Sequence, residues 1–393
     1  MDLTWTAEDD AFRSEIRSYL ERSVPRDLPK DGDENFAARR EWQKKLAEDA
    51  WVGIHWPEQY GGRGASLLQT VIFNEEYTKA AAPAIPNSLG VGLLGPTLLR
   101  FGTDAQKERF LRKVLTAEEI WCQGFSEPNA GSDLAAVACR AERVGDEFVV
   151  NGQKIWTSQA KHSDWIFALV RTDPEAPKHK GISFLLIDMH SPGIEVRPLV
   201  EMTGEDLFAE VFFTDVKVPA ENLVGELGDG WKIAMTTLGF ERGAGGLAQS
   251  VGLRKSWNDL VRDIAKLEES GGPSLENASV REKLGRSLVE LEVYRYSTLR
   301  AISRAAMGEK TGPEASINKL YWSEWHKSFM EDAMQILGSL GRSYDGGPDD
   351  VDTARWVTEL YYSRAGTIYA GTSEIQRNIL SELVLELPKE GRP

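Results

Sequence analysis

Glu241 and Arg242 stand side by side, and Gly243, Ala244, Gly245 and Gly246 follow at once in the stretch Trp231 to Ser250, WKIAMTTLGFERGAGGLAQS. The pattern predicts a helix over this stretch. Three glycines after the charged pair would weaken that helix by about 2–3 kcal/mol, at about 1 kcal/mol each. Sequences keep such weak points where something approaches the backbone closely. A carboxylate beside a strip of glycine and alanine is a place for a substrate to lie against a base. The same residues also fit a tight helix–helix contact with an exposed Glu–Arg pair. Two further stretches offer polar groups at turn-like spacing. In FSEPNAGSDLAA, residues 125 to 136, Ser126, Gly131 and Ser132 lie on a turn of small residues that can aim N–H and hydroxyl groups at a polar ring edge or a pyrophosphate. In KIWTSQA, residues 154 to 160, Trp156 offers a flat face and Thr157 and Ser158 offer donors. An ordinary polar loop and a strand end with a core tryptophan remain open as readings of these two.

Composition removes several other chemistries. The net charge of −15 provides no basic excess to neutralise phosphates, which argues against nucleic acid as a partner. Cys122 and Cys139 make no disulfide framework, and His55, His162, His179, His190 and His326 show no metal-ligand spacing. No Cys–His nucleophile pair, dinucleotide fingerprint or phosphate-binding loop is present. The acidic start MDLTWTAEDD lacks a secretory pattern, and no apolar run reaches the length of a membrane span, so a cytoplasmic protein is expected. Twelve tryptophans in 393 residues point to large flat surfaces that must be packed, in the core or against a ring-shaped ligand.

The elements that must hold these groups change character twice. Thr6 is placed to cap a helix through AEDDAFRSEIRSYLERSV, with Phe12, Ile16, Leu20 and Val24 as its apolar stripe. Helices are expected over Phe36 to Ala50, Leu67 to Ala82, Ser88 to Leu99 and Asp104 to Leu115, with WPEQYGGRGAS, residues 56 to 66, as a loop. From about Ile120 to Val224 short alternating runs take over. DWIFALV, GISFLLIDM, GIEVRPL and AEVFFTDVKVP read as strands, Asn151-Gly152 reads as a two-residue hairpin, and Gly145-Asp146 reads as another turn. Helical periodicity then returns, with helices expected over 280 to 308 and 313 to 340 and a final helix capped by Thr372. The expected fold is α+β and multidomain. It comprises an N-terminal helical domain (1–118), a central, mostly antiparallel β domain (119–225) and a C-terminal four-helix-bundle-like domain (226–393).

On these motifs the chain resembles the acyl-CoA dehydrogenase family. WPEQYGG, FSEPNAGSDLA, KIWTS, FERGAGGLAQ, QILGSLG (335 to 341) and YAGTSEIQRN (369 to 378) occur in the family's order from end to end. The resemblance implies a flavoprotein that oxidises an acyl-CoA thioester to the trans-2-enoyl-CoA with FAD as cofactor. Gln123, Phe125, Ser126, Gly131 and Ser132 match the family's first flavin stretch, and Trp156, Thr157 and Ser158 the second. Gln335, Gly338 and Ser339, with Thr372 and Glu374, match segments that reach the ADP half of FAD. Ser132, Gly239, Arg242 and Gly371 match positions at the substrate. The chemistry requires a carboxylate for the α-proton, a hydride acceptor at the β-carbon and hydrogen bonds to the thioester carbonyl.

Three departures refine the resemblance. Ala370 stands where many members carry the catalytic glutamate. A branch resembling isovaleryl- and long-chain acyl-CoA dehydrogenases has its base on the earlier helix, and Glu241 with Arg242 matches that position. The region GGPSLENASVREKLGR (271 to 286) lacks the Arg-x-x-x-Phe-Gly stretch that clasps FAD across a subunit interface. Gly239 replaces a frequent aspartate, and the small residues at 239, 243, 245 and 246 point to a branched, bulky or ring-bearing acyl group. Expected partners are an electron-transfer flavoprotein and either three further copies, as a homotetramer, or a related chain in an α2β2 tetramer. An oxygen-using acyl-CoA oxidase and a non-catalytic subunit are the alternatives, the length favouring the dehydrogenase over the long oxidases. Glu241→Gln is expected to abolish flavin reduction by acyl-CoA while FAD stays bound, measured by anaerobic absorbance; unchanged reduction would point to a scaffold.

Overall fold

The computed structural model describes residues 5–30, 32–240, 245–309, 312–313, 315–338 and 351–389. The chain divides into two compact units: Met1–Leu20, Leu67–Ala81 and Ala244–Pro393 form one, and Glu21–Ser66 with Ala82–Gly243 form the other. Helices come first, a sheet follows, and helices return, as the periodicity requires.

The second unit holds the sheet. Its helices are α2 (Gly32–Glu48), α4 (Gly95–Phe101), α5 (Asp104–Thr116) and α6 (Gly230–Phe240). Its strands are β1 (Trp121–Gly124), β2 (Arg140–Val144), β3 (Glu147–Ser158), β4 (Trp165–Arg171), β5 (Ile182–Asp188), β6 (Ile194–Leu199), β7 (Phe208–Pro219) and β8 (Leu223–Val224). The sheet order is β6-β7-β3-β2-β4-β5-β8, with β1 pairing to β4 off this path. Only β1 and β2 run parallel to β4; the other pairings are antiparallel. The apolar run of β4 is buried along Ile166–Val170, as expected of a strand covered on both faces.

Two close approaches explain glycines in this unit. A Cβ at Gly95 would lie 1.8 Å from the ring of Trp56, which is fully buried, so the WPEQYGG loop anchors its tryptophan on bare backbone. At Asn151-Gly152 the expected hairpin is absent. β3 runs straight through, and the pairing with β7 shifts register between Val150 and Gly152. The extra residue lies on β7, where Asp215 adopts φ 50° and exchanges hydrogen bonds with the Asn151 side chain at 2.9 and 3.0 Å. Gly152, at φ 148°, leaves no room for a Cβ beside Cys139. A bulge and a type I′ hairpin both ask for Asn-Gly, and long-range pairing with β7 decided between them. The hairpin itself sits at Gly145-Asp146, between paired Val144 and Glu147.

Asn87 ties helices to sheet within this unit. Its Oδ1 accepts from the Trp121 N–H at 2.9 Å, and its Nδ2 donates to the carbonyls of Val114 (2.9 Å) and Glu119 (2.8 Å). Gln43 accepts from the Asn87 N–H at 3.1 Å. Trp121 stacks on Trp165 at 5.3 Å, and Phe110 of α5 meets both edge-on.

The first unit is helical, with α1 (Ala7–Ser23, its last turn beyond the unit's boundary), α3 (Leu67–Lys79), α7 (Gly245–Glu269), α8 (Ala278–Ala306), α9 (Ala315–Leu337), α10 (Thr353–Ala365) and α11 (Ser373–Ile379). Thr6 caps α1 by accepting from the Asp9 N–H at 3.1 Å. Leu260, Ile264, Leu291, Phe329, Met330 and Trp356 belong to the core between α7, α8, α9 and α10. A second cluster joins Val71 of α3 to Leu247, Leu299 and Ile302. Three helices differ from expectation. The Ser88 to Leu99 segment becomes a π-turn over Gly90–Leu94 that leads into α4. The last helix changes to a π-turn at Leu380–Val384. The Trp231 to Ser250 stretch is described as α6 and α7, and residues 241–244 lie outside the described residues.

Asn87→Ala removes one acceptor and two donor contacts from buried backbone groups, so it is expected to destabilise the sheet-bearing unit by about 2–4 kcal/mol, read as a lower urea midpoint. Lys217→Ala, which loses only an exposed ion pair, is expected to stay within about 0.5 kcal/mol.

Candidate active site

The sequence-expected residues fall into two groups, one in each unit. On the sheet, Gln123 lies in β1 opposite Phe167 of β4. Its Nε2 is buried and has no hydrogen-bond partner among the described residues. Thr157 is fully buried in β3, and its Oγ1 has none among the described residues either. Buried donors without partners are rare, because each loses its water without replacement. Two of them at positions expected to meet a cofactor fit a polar ligand supplied from outside the chain.

Trp156, between Lys154 and Thr157, is turned outward by a second bulge. Lys154 pairs with Val211 and Thr157 with Ala209, so β3 carries one extra residue there. Trp156 takes φ 59°, unusual for a bulky side chain, and leaves 58% of its surface exposed. Its only ring neighbour among the described residues is Phe208, edge-on at 6.0 Å. A strained, solvent-facing tryptophan at a strand bulge presents a free aromatic face. Ser158 is half-buried at the end of β3.

The loop after β1 carries Ser126, Gly131 and Ser132. The Ser126 carbonyl accepts from the Ile155 N–H at 3.0 Å, which joins this loop to the Trp156 segment. Gly131 and Ser132 are exposed, with open space around the Gly131 Cα. Phe125 is placed differently from its neighbours: its ring is buried against Phe167 and Phe184, edge-on at 5.9 and 6.1 Å, so its side chain serves the core. An open cavity of about 560 Å³ beside this loop is lined by Arg140, Arg171 and Lys178. Their charges are already engaged. Arg171 donates to the carbonyls of Ala135, Val137 and Lys178, Lys178 pairs with Asp133, and Arg140 pairs with Glu142.

In the helical unit, Gln335 is exposed near the C-terminal end of α9, and its Oε1 accepts from Lys283 at 2.6 Å. Gly338 follows α9 at φ 60°. Thr372 caps α11 by accepting from the Ile375 N–H at 3.2 Å. Glu374 is exposed, and backbone N–H and the Thr372 hydroxyl hold its carboxyl below the usual range. Ser373 donates to Glu324 of α9 at 2.7 Å. Gln335 therefore lies eleven residues along α9 from the point where α11 attaches, about 16 Å at 1.5 Å per residue. Within this chain the two segments are not brought together. Ala370 and Gly371 take φ 52° and 87°, and Gln376 shapes their turn by donating to both carbonyls, at 3.1 and 3.3 Å. Gln376 belongs to a quoted motif, but its capping of that turn had no signal in sequence. Glu241, Arg242 and Ser339 lie outside the described residues; Gly239, near the end of α6, is exposed, with no atom near a Cβ built there.

Other reactive groups are inert. Burial pushes the Cys122 thiol up to about 12 and Cys139 up to about 11, and holds His326 down at about 4. No group of side chains able to hold a metal ion is found among the described residues, and no described helix is long and apolar enough to cross a membrane.

Comparison with known proteins places this architecture in one family. The family models for the N-terminal, middle and C-terminal domains of acyl-CoA dehydrogenases match residues 6–118, 122–216 and 228–385. The chain belongs to the acyl-CoA dehydrogenase family, whose members are FAD-dependent oxidoreductases. It is 40% identical to acyl-CoA dehydrogenase IpdE1 of Mycobacterium tuberculosis, covering 98% of this chain and 99% of that one. It is 32% identical to the mouse mitochondrial short-chain specific acyl-CoA dehydrogenase, covering 94% and 88%. Among solved structures, the Tcur3481-Tcur3483 steroid ACAD superposes with a TM-score of 0.86 at 33% identity, covering 99% and 100%. The ChsE4-ChsE5 complex from Mycobacterium tuberculosis gives 0.83 at 28%, covering 99% and 100%.

Thr157→Val deletes a hydroxyl that has no partner among the described residues. It is expected to leave the unliganded chain as stable as before, within about 1 kcal/mol, and to weaken FAD binding about threefold to tenfold, measured by thermal unfolding and by fluorescence titration.

Proposed function

We propose that this chain carries the catalytic base of an FAD-dependent acyl-CoA dehydrogenase acting on a bulky, ring-bearing acyl-CoA. The product is the trans-2-enoyl-CoA, and an electron-transfer flavoprotein takes up the electrons. The reading rests most on a relocated carboxylate. The turn at Ala370, which Gln376 holds open at φ 52°, carries a methyl group, while Glu241 stands at the position where another branch of the family keeps its base. Glu241 removes the α-proton of the thioester. A pocket closed to water would raise its pKa towards working pH. Arg242 holds the pocket or the CoA moiety.

FAD is held on the sheet side by Gln123, Thr157, Ser126, Gly131, Ser132 and Ser158, with the free face of Trp156 against its ring; when bound it supplies the acceptor for the β-hydride. The partnerless Gln123 Nε2 and Thr157 Oγ1 support this assignment. Gln335, Gly338 and Ser339 on one side, and Thr372 with Glu374 on the other, serve the ADP half. Their separation of about 16 Å along α9 supports flavin sites completed by a second chain. The ChsE4-ChsE5 complex and the Tcur3481-Tcur3483 steroid ACAD, each named for two components, favour a related chain as that partner, in an α2β2 tetramer. The steroid ACAD likewise favours a polycyclic acyl group, and the open space where a Cβ of Gly239 would stand suits one.

The test is anaerobic titration of the purified chain, together with any chain that copurifies, with straight, branched and ring-bearing acyl-CoAs. Bleaching of the flavin by ring-bearing thioesters is expected, with little response to short straight ones. The opposite ranking would overturn the substrate class, steady peroxide release in air would make the enzyme an oxidase, and a flavin-loaded homotetramer of this chain alone would overturn the α2β2 assembly.

A further inference from the structure

Lys154 is fully buried, and an ammonium group there must be met by acceptors. It has three: Glu127 Oε1 at 2.7 Å, the Leu169 carbonyl of β4 at 2.7 Å and the Phe125 carbonyl at 3.3 Å. Glu127, itself buried, accepts from two further donors, the N–H groups of Ala138 (2.6 Å) and Cys139 (2.9 Å). One carboxylate near the start of the loop after β1 therefore grips the residues where that loop ends. Inside the loop, Glu127 and Ala130 exchange two backbone hydrogen bonds at 3.1 and 3.0 Å. On the other side of the pair, Lys154 is the last regularly paired residue before the bulge that turns Trp156 outward.

We infer that the Lys154–Glu127 ion pair is the positioning device of the flavin-facing surface, setting the shape of the 126–139 loop and the β3 bulge together. This rests on the flavoprotein reading above for what the surface binds, but not for what the pair does to the loop. Both side chains are buried within the protein, Lys154 fully, so the pair is assigned a positioning and not a catalytic role. Lys154 reaches β1, β3 and β4 at once, and Glu127 converts that anchorage into a fixed loop span. The backbone N–H groups and hydroxyls of Ser126, Gly131 and Ser132 are thereby held before any ligand arrives, so ligand binding does not have to order them. Arg171, gripping the Ala135 and Val137 carbonyls, braces the same loop but touches neither Lys154 nor the bulge. Beside the Ser126–Ile155 backbone hydrogen bond at the start of the loop, the ion pair is the side-chain element that links the end of the loop to the bulge.

The experiment uses the full chain with any partner that copurifies. Glu127→Gln/Lys154→Met removes both buried charges and strands neither. With circular dichroism and cooperative melting retained, amide exchange at Ala138 and Cys139 is expected to rise about tenfold or more. The FAD dissociation constant is expected to rise by a similar factor, and the absorption bands and midpoint potential of the bound flavin to shift. Glu127→Gln alone, which keeps an oxygen for Lys154, covers the case in which the double variant fails to fold; a smaller change in the same readouts is expected. Exchange and FAD affinity both within about twofold of wild type would overturn the inference. Faster exchange in the variants, with a wild-type chain that takes up no FAD, would support the loop assignment and overturn the flavoprotein reading.

Discussion

A buried ammonium group sets the terms for the sheet. Lys154 has no water, so its three donors must find oxygen, and the strands and loop that provide those oxygens are fixed relative to one another. β1 and β3 carry the candidate cofactor residues Gln123, Trp156, Thr157 and Ser158, and β4 pairs with β1. The strain at Trp156 and the partnerless hydroxyl of Thr157 persist because residues on both sides are held. Strain and unmet hydrogen bonds are tolerated where the surroundings over-determine them, and such places are often functional.

The helical unit solves a different problem. Of its segments expected at the ADP half, one begins within α9 at Gln335 and the other is joined to α9 by the Ser373–Glu324 hydrogen bond. A rigid helix keeps these two points apart, which is in keeping with the proposal that a second chain completes the ADP site. The base proposed at Glu241 is consistent with that arrangement. With Ala370 in the turn that Gln376 shapes, α11 keeps its cap and its attachment to α9 without carrying the reacting carboxylate.

Sequence and structure agree best where local identity decides the outcome. The caps at Thr6 and Thr372, whose hydroxyls accept from the N–H groups of Asp9 and Ile375, need residues only three apart. The strands DWIFALV and GISFLLIDM announce themselves by unbroken apolar runs, because both of their faces are covered. Asn151-Gly152 shows the limit. The dipeptide supports a turn or a bulge equally, and the choice lay with Asp215 on β7, sixty-four residues away.

The sequence by itself determined the family, the helix–sheet–helix order and the pairing of Glu241 with Ala370, because each depends on which residues stand at which positions. It marked Gln123, Trp156 and Thr157 as candidates but could not tell a core tryptophan from an outward one. Tertiary structure decided that Trp156 faces solvent, that the Phe125 ring belongs to the core, and that Lys154, unremarkable in a strand, is the buried anchor of the loop before it. Those outcomes depend on which distant groups meet in space, and burial and hydrogen-bond satisfaction act only once the chain has folded.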